Sequence, residues 1–262
     1  MQLLRDTQTG GAYVSHLIFQ IFPTARDEKR LLVNCRYETV SPWAMDRILR
    51  RLKEKKATAI ADFFHGISGI RGAGPMRGSM FEKRVLRYFD EIESDCKLSI
   101  RNLSKPKRGL TSSDPTWIFR AKPGCVTFEE ATVIDEITNA VETSQGLHLV
   151  PSEVNFPAVD SIVYQPDDVL TCLQITISLK HRIAVSGLNR IQGWLKYNSS
   201  LAGLRAKTAK PWRFIFVLPL NKAHKFGIQK LDKDSPTGIW AKKVNQYVLG
   251  LEEETIFGPR SD

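Results

Sequence analysis

Residues 155–181 read NFPAVDSIVYQPDDVLTCLQITISLKH, and this stretch contains two short strand-like runs joined by a polar turn. Residues 173–180 alternate strictly between apolar and polar side chains, which predicts a strand with one face in the core and one polar face. Gln174 and Thr176 are neighbours on that polar face, and the preceding strand carries Asp160. The stretch therefore predicts two adjacent strands that bring polar groups to one point of a sheet.

The segments on both sides of this pair predict an α/β domain with a mixed sheet. The upstream elements are a helix over 79–91, strands over 96–103, 117–120 and 147–150, and a segment over 127–143 that fits a short helix or partly a strand. The downstream elements are a helix over 187–201, a strand over 212–218 and a last helix over 237–249. The run WRFIFVL in the strand over 212–218 is nearly continuously apolar, as in a central strand covered on both faces.

The first sixty residues predict a small extension of helix, strand and helix. An apolar patch at helical spacing covers 13–22, the strand-like run LLVNCRYE covers 31–38, and a helix with a proline in its first turn covers 41–56. Residues 66–78, GISGIRGAGPMRG, are rich in glycine and predict a loop or linker. We therefore predict domains over 1–60 and 61–262, the second ending in a basic helix. The glycine-rich segment lacks the GKS or GKT of a phosphate-binding loop.

The composition is that of a globular protein with a basic surface. The 38 Lys and Arg residues exceed the 28 Asp and Glu residues, which leaves a formal charge of +10 and favours a polyanionic partner such as nucleic acid as much as a solvated basic surface. The four cysteines have no CxxC spacing, so they predict reduced thiols and not a zinc site. No run approaches the roughly 20 apolar residues of a membrane span, so we expect no membrane partner.

Three oxygen-bearing side chains form a candidate metal site. Glu82 lies on the flank of the apolar stripe of a predicted helix, whereas Asp160 and Gln174 lie on the two adjacent strands. Carboxylate and amide oxygens are hard ligands of the kind that Mg²⁺ prefers, and a bound Mg²⁺ polarises phosphate and lowers the pKa of a water. The structural alternative is that Asp160 caps a strand end, Gln174 faces solvent and Glu82 reaches water.

Four segments of the chain resemble a known nuclease family. The segments GSMFEKRVLRYF, NFPAVDSIVY and CLQITISLKH, with the Gly187-Leu188 pair that follows them, resemble the restriction-endonuclease-like domain that Crinkler effectors share with the retrotransposon hot spot proteins. That domain is a branch of the PD-(D/E)XK nuclease superfamily. The resemblance covers about residues 60–220. It implies a mixed sheet flanked by helices, Mg²⁺ or Mn²⁺, and hydrolysis of phosphodiester bonds.

The resemblance also implies a role for individual residues. Glu82 corresponds to the helix acid, Asp160 to the central metal ligand and Gln174 to the second strand acid, with the peptide carbonyl of Ile175 also facing the metal. Residues 12–56 resemble, more weakly, the end of the NTPase module that precedes this domain in some family members. This weaker resemblance implies, as an expectation, that the chain is a C-terminal fragment without its phosphate-binding loop.

The chain departs from the superfamily pattern at Thr176. The superfamily has a lysine there, and threonine does not supply the positive charge that stabilises the transition state, although QxT is a familiar form in this family. Lys180 lies on the same face and reaches the site only if the strand ends early and the chain folds back. His181 is a second candidate, with a structural hydrogen-bonding role as its alternative. Lys196, one turn after Gln192, is a third source of the missing charge.

The resemblance implies DNA as the first partner and RNA as the second, in a secreted effector that acts in a host nucleus, where it is toxic and contributes to virulence. The residues that we predict to bind phosphates, besides Lys180, are Arg77, Arg84, Arg108, Arg182, Arg190 and Lys196. One alternative is a catalytically inactive scaffold that binds nucleic acid or a host nuclear protein. Another is a structural partner of the NTPase module. The oligomeric state does not follow from the sequence.

Overall fold

A computed structural model describes residues 19–23, 35–39, 57–69, 73–104, 115–120, 125–153, 156–196, 198–232 and 237–257. The chain divides into two compact units, one formed by residues 1–84 with 253–262 and the other by residues 85–252. The domain limits at residues 60 and 61 stay a prediction. The second unit contains the stretch 155–181 and most of the secondary structure.

An eight-stranded mixed sheet forms the second unit. The first unit contains β1 (Phe19–Pro23) and β2 (Cys35–Thr39). The eight strands of the second unit are β3 (Cys96–Asn102), β4 (Thr116–Phe119), β5 (Val126–Phe128), β6 (Leu147–Pro151), β7 (Ser161–Tyr164), β8 (Thr171–Ile175), β9 (Trp212–Pro219) and β10 (Val244–Leu251). The strand order is β4-β3-β10-β9-β8-β7-β6-β5. Strand β9 is parallel to both of its neighbours and β5 is parallel to β6, whereas the other pairs are antiparallel. The predicted α/β class with a mixed sheet is confirmed.

Seven helices accompany the strands in the part of the chain that the structure describes. They are α1 (Ala57–Gly66), α2 (Gly74–Asp90), α3 (Val133–Glu142), α4 (Val185–Trp194), α5 (Leu220–Ala223), α6 (Thr237–Trp240) and α7 (Glu253–Phe257). Leu188, Ile191 and Trp194 of α4 belong to the same buried cluster as Phe214 and Phe216 of β9. Full burial of such side chains contributes about 1.5–3 kcal/mol each, so this packing fixes α4 to the sheet.

The first unit combines a two-stranded hairpin with α1, α7 and most of α2. Strands β1 and β2 pair antiparallel, with Phe19 opposite Thr39. The ring of Phe64 in α1 stacks on Phe257 in α7 at a centroid distance of 4.1 Å. Because residues 19–23 form a strand, the helical prediction over 13–22 is wrong where the two overlap. The strand within 31–38 is confirmed at its end, and the helix over 41–56 lies outside the described residues.

The glycine-rich segment 66–78 is largely helical, which corrects the predicted loop. Helix α1 ends at Gly66 and α2 begins at Gly74, five residues before the predicted start. Pro75 lies in the first turn of α2, where its missing N–H has no helical partner to lose, so the proline suits this position. Phe81, Val85 and Phe89 are buried on one side of α2, as their spacing predicts.

The predicted last helix over 237–249 is wrong. Helix α6 has only four residues, and β10 follows, running parallel to β9 and antiparallel to β3. The apolar residues of 237–249 fit a helical period, but those of VNQYVLGL also fit a strand, and pairing with two neighbouring strands decides between the two. That pairing involves residues about 30 and 150 positions away and leaves no trace in the local pattern.

The strand predicted over 173–180 is shorter than its alternating pattern suggests. Strand β8 ends at Ile175, and all five of its residues are buried, so it has no polar solvent face. Strands β7 and β9 flank it on both sides, which places it inside the sheet. Beyond it, the backbone N–H of Ser178 donates to the hydroxyl of Thr176 at 3.0 Å, a local turn that takes the chain away from the sheet.

Candidate functional site

Asp160 and Gln174 meet at the carboxyl end of β8, as the sequence predicts. Asp160 directly precedes β7, and its backbone N–H donates to the carbonyl of Leu173 at 2.9 Å. Its carboxylate oxygen Oδ2 accepts a hydrogen bond from Nε2 of Gln174 at 2.6 Å and another from the backbone N–H of Ile175 at 2.5 Å. The antiparallel register of β7 and β8 thus joins two residues that are fourteen positions apart.

The same contacts give Asp160 a structural role. The N–H of Ile175 lies at the last position of β8, and the Asp160 carboxylate accepts its hydrogen bond in place of a further strand partner. Gln174 is only 8% exposed, so the idea that its side chain merely faces solvent is wrong. A charge-assisted hydrogen bond to a buried amide holds both groups in one geometry. The structural and the catalytic interpretation therefore share these residues.

The loop before Asp160 is held from the other side by α4. An added Cβ at Gly187 would lie 1.9 Å from the carbonyl oxygen of Pro157 and 3.0 Å from Cβ of Ala158. Ala158 has a φ of 75°, in the left-handed region that side chains with a Cβ rarely adopt. Only glycine permits this approach of helix and loop, so Gly187 determines where the chain enters Asp160.

Thr176 takes part, through its hydroxyl oxygen, in the turn that follows β8. Its backbone N–H donates to Val217 and its Oγ1 accepts from Ser178, so the residue closes the turn after β8. Lys180 is exposed, and its backbone N–H and carbonyl both bond to the Ser178 hydroxyl. Strand β8 ends early, which meets one of the two conditions for Lys180 to reach the site, and its role stays a prediction.

His181 lies half-buried after this turn. Its backbone N–H donates to Oε1 of Gln229 at 2.8 Å, so the structure binds the main chain of His181 at this point. Burial lowers the pKa of the imidazole below its usual value. The buried environment thus favours the neutral form of the His181 imidazole.

Lys222 is a cation near the end of β8 that sequence analysis missed. Its Nζ donates to the carbonyl oxygen of Ile177 at 2.6 Å, two residues after the end of the strand. Lys222 lies in α5, which follows β9, and β9 runs parallel to β8 with Val217 opposite Ile175. Parallel neighbours end at the same side of a sheet, so a lysine three residues after the apolar run WRFIFVLP lies near the end of β8 once the pairing of β8 with β9 is known.

Glu82 lies in α2, within the first compact unit, and stays a predicted ligand. Its side chain is half-buried, and burial raises the pKa of the carboxyl, an effect that the nearby charge of Lys83 opposes. A raised pKa reflects a carboxylate that has lost much of its hydration. Whether Glu82 serves as a ligand or reaches water stays a prediction.

Three of the six predicted phosphate-binding residues are engaged inside the protein. The Arg190 guanidinium bonds to Glu130 at 2.6 Å and Glu153 at 2.7 Å, and these contacts raise its pKa. Arg77 covers the Phe64 ring at 4.4 Å, and Arg84 donates to the backbone of α7. These cations stabilise the fold, and their contacts to phosphate stay predictions.

Of the other three predicted phosphate-binding residues, the structure describes two. Arg182 and Lys196 are exposed, whereas Arg108 lies outside the described residues. Contacts of Arg182 and Lys196 with phosphate are compatible with their exposure and stay predictions as well.

Within the described ranges, no group of three or more His, Cys, Asp or Glu side chains is arranged to hold a metal ion. A metal site built on Asp160 and Gln174 therefore has one carboxylate and one amide from the second unit, with water as its other ligands. No helix among the described residues is both long and apolar enough to cross a bilayer.

Comparisons with family models, curated proteins and solved structures find no match to this chain, so its placement in the PD-(D/E)XK superfamily stays a hypothesis.

Proposed function

We propose that the chain is a metal-dependent nuclease domain that binds DNA and cleaves its phosphodiester bonds. The observation that carries the proposal is the contact between Asp160 and Gln174 at the carboxyl end of β8. A carboxylate and an amide are held together there by two strands of a mixed sheet, and a net charge of +10 favours a polyanionic substrate.

The donor set fits Mg²⁺ or Mn²⁺. Mg²⁺ is usually bound by one or two carboxylates and keeps several waters, and neighbouring ligand oxygens at ~2.1 Å from the ion lie roughly 3 Å apart. The contact of 2.6 Å joins the amide nitrogen Nε2 of Gln174 to Oδ2 of Asp160. A half-turn of the amide about its last side-chain bond would exchange Nε2 for Oε1 and so present two oxygens to one ion. Asp160 and Gln174 would hold the metal, which when bound polarises a phosphate and lowers the pKa of a water.

The surrounding residues have complementary tasks in this proposal. The N–H of Ile175 and the approach of Gly187 to Pro157 keep the Asp160 carboxylate in place without further reorganisation. Lys222, whose Nζ lies at the Ile177 carbonyl, and the exposed Lys180 are the cations that we propose to offset the phosphate charge in place of a lysine at Thr176. Glu82 enters the proposal through the resemblance alone.

The cleavage assay that tests the proposal uses the full chain with supercoiled plasmid and with single-stranded DNA. We expect nicking or degradation with Mg²⁺ or Mn²⁺, none with excess EDTA, and recovery when the metal is restored. Metal-independent cleavage, or no cleavage under any metal condition by folded protein, would contradict the proposal.

A stability measurement tests the metal site without relying on activity. Replacing Gln174 with glutamate places a second carboxylate against Asp160, so we expect the free energy of unfolding at pH 7 to fall by about 2 kcal/mol. Because Mg²⁺ binds only the folded pair, millimolar Mg²⁺ should restore most of this loss. The measurement is thermal or urea unfolding with and without the ion.

The matched control is Gln174→Met, which removes the same hydrogen bond and adds no charge. Its stability should fall with no recovery in Mg²⁺. If Mg²⁺ stabilises the two variants equally, or neither of them, Asp160 and position 174 do not share a metal ion.

The finer parts of the proposal rest on the resemblance. We propose a restriction-endonuclease-like fold, which the mixed sheet supports, in a Crinkler-type effector that is secreted, enters a host nucleus and is toxic there. Expression in host cells of the wild type beside a cleavage-deficient variant tests this part. Equal cell death from both would assign the effect to binding and not to hydrolysis.

A second candidate is a nuclease-like scaffold that binds nucleic acid without cleaving it. The observation in its favour is that Thr176 stands at the lysine position and that its hydroxyl is held in a turn. The presence of Gln174 at the position of the second acid also lowers the negative charge available to a cation. Binding with no metal-dependent cleavage would support this alternative.

A further inference from the structure

A cluster of cations lies at the end of the sheet opposite Asp160. Residues 195–213, LKYNSSLAGLRAKTAKPWR, contain five Lys or Arg residues and no Asp or Glu. One of the five, Arg213, forms an ion pair with Asp168 at 2.7 Å and is thereby neutralised. We call the remaining four, Lys196, Arg205, Lys207 and Lys210, the basic turn surface.

A tight turn places two of these cations side by side. Lys207 and Lys210 form an isolated antiparallel bridge, with backbone hydrogen bonds of 3.2 and 3.1 Å in the two directions. Residues directly opposite each other in such a pair point to the same face, and like charges there repel. All four residues of the turn, 207–210, are exposed. The backbone pairing thus places two exposed lysines directly opposite each other.

The charge of this turn is not compensated inside the described part of the protein. No described carboxylate forms an ion pair with Lys207 or Lys210. The ammonium of Lys210 donates instead to the backbone carbonyl of Gly203 at 3.2 Å. A backbone carbonyl is neutral, so it orients the lysine side chain without cancelling its positive charge. An external anion would therefore reduce the repulsion between the two side chains.

Arg205 ties the turn to the end of α4. Its Nε donates to the carbonyl of Leu195 at 2.8 Å and its Nη2 to the carbonyl of Lys196 at 2.6 Å. These are carbonyls that a helix end leaves without helical partners, so a guanidinium is stabilised there. The contact brings Lys196 next to the segment that carries Lys207 and Lys210. These contacts fix the backbone at the end of α4 to the segment that leads into the turn.

We propose that the basic turn surface binds the phosphate backbone of double-stranded DNA and forms an anchor separate from the Asp160 site. Strand β9 connects the two places, because Lys210 lies six residues before Phe216, which is opposite Gln174. Six extended residues span about 20 Å. At 3.4 Å per base pair this equals roughly six base pairs of duplex between anchor and site.

Binding at the anchor is tested with Lys207→Gln/Lys210→Gln in the full chain. Fluorescence anisotropy with a labelled 20-base-pair duplex gives the affinity as a function of salt. Removing two phosphate contacts should make the slope of log K against log salt shallower by about 1.8 and weaken binding by roughly tenfold or more at 0.15 M salt. The midpoint temperature of thermal unfolding should be unchanged or higher than that of the wild type, because the substitution removes a like-charge pair.

The matched control is Lys97→Gln/Lys225→Gln, which removes the same charge from two exposed lysines elsewhere in the second unit. Its salt slope should stay near that of the wild type. Equal slopes for the two double variants would overturn the proposal, since only net charge would then matter. A duplex RNA of the same sequence that binds more than tenfold better than the DNA would overturn the choice of partner.

Only the six-base-pair spacing rests on the proposed nuclease function. If the wild type binds duplex through the turn but cleaves nothing, the anchor stands and the nuclease proposal fails. If the wild type cleaves and the Lys207→Gln/Lys210→Gln variant binds as the wild type does, the anchor fails and the nuclease stands. With both proposals correct, cleavage should rise steeply once the duplex extends about six base pairs beyond the scissile bond on one side.

Discussion

Replacing Asp160 with asparagine is expected to reduce metal-dependent DNA cleavage by at least about 100-fold while the chain stays folded. Loss of a residue behind a metal ligand commonly costs 10–100-fold, and Asp160 is proposed as a ligand itself. Asparagine has the same shape and keeps one carbonyl oxygen to accept the hydrogen bond of the Ile175 N–H. The free energy of unfolding should therefore fall by only about 1 kcal/mol.

Asp168→Asn is the matched control for Asp160→Asn. Asp168 is also a partly buried carboxylate beside β8, but it lies before the start of the strand and pairs with Arg213. The Arg213 guanidinium and the other donors hold its pKa below the usual value in spite of burial, so its loss should cost stability at pH 7. Cleavage should persist in Asp168→Asn. Equal cleavage by Asp160→Asn and the wild type would remove Asp160 from the mechanism.

Replacing Gly187 with alanine is expected to destabilise the second unit by about 3 kcal/mol or to prevent its folding. The new Cβ would lie 1.9 Å from a backbone oxygen, that of Pro157, and 2.5 Å from its carbonyl carbon. The loop that contains Pro157 leads directly into β7, so its backbone atoms are less free to move than the end of a flexible side chain. Either α4 or this loop must therefore shift. A shift of the loop displaces Asp160, and any folded fraction should cleave less per molecule.

Gly193→Ala in the same helix is the control for Gly187→Ala. An added Cβ at Gly193 meets nothing within 4 Å, and alanine favours a helix by up to about 1 kcal/mol over glycine. The urea concentration at the midpoint of unfolding should therefore fall for Gly187→Ala and rise for Gly193→Ala. If both are destabilised alike, the close approach of Gly187 to Pro157 is not what limits substitution.

Local patterns in the sequence predict the middle of the fold better than its limits. The apolar run of β9, the strands β3, β4 and β6, and the meeting of Asp160 with Gln174 all follow from short-range signals. Strand β10 does not, because its residues fit both periods and its partners are distant in the chain. The alternation of apolar and polar residues also does not predict where β8 ends, because Thr176 and Ser178 continue the alternation although they form a turn.

The candidate site was predictable where it depends on neighbouring strands and not where it depends on crossover connections. Register between β7 and β8 follows from one polar turn, so two facing residues can be paired from the sequence. Lys222 and the basic turn surface depend on the parallel pairing of β8 with β9, across a connection of more than thirty residues. No local feature records which end of β9 lies beside which end of β8, so Lys222 was not predicted. Of the basic turn surface, only Lys196 was predicted to bind phosphate.

The position of β10 inside the sheet has a consequence for how the protein is made. Strands β3 and β9 are separated in the sheet only by β10, which comes last of the three in the chain. During synthesis, both therefore expose unpaired backbone edges until residues 244–251 leave the ribosome. Open edges of apolar strands pair readily with other chains, so the nascent protein passes through an aggregation-prone stage that ends only when β10 inserts.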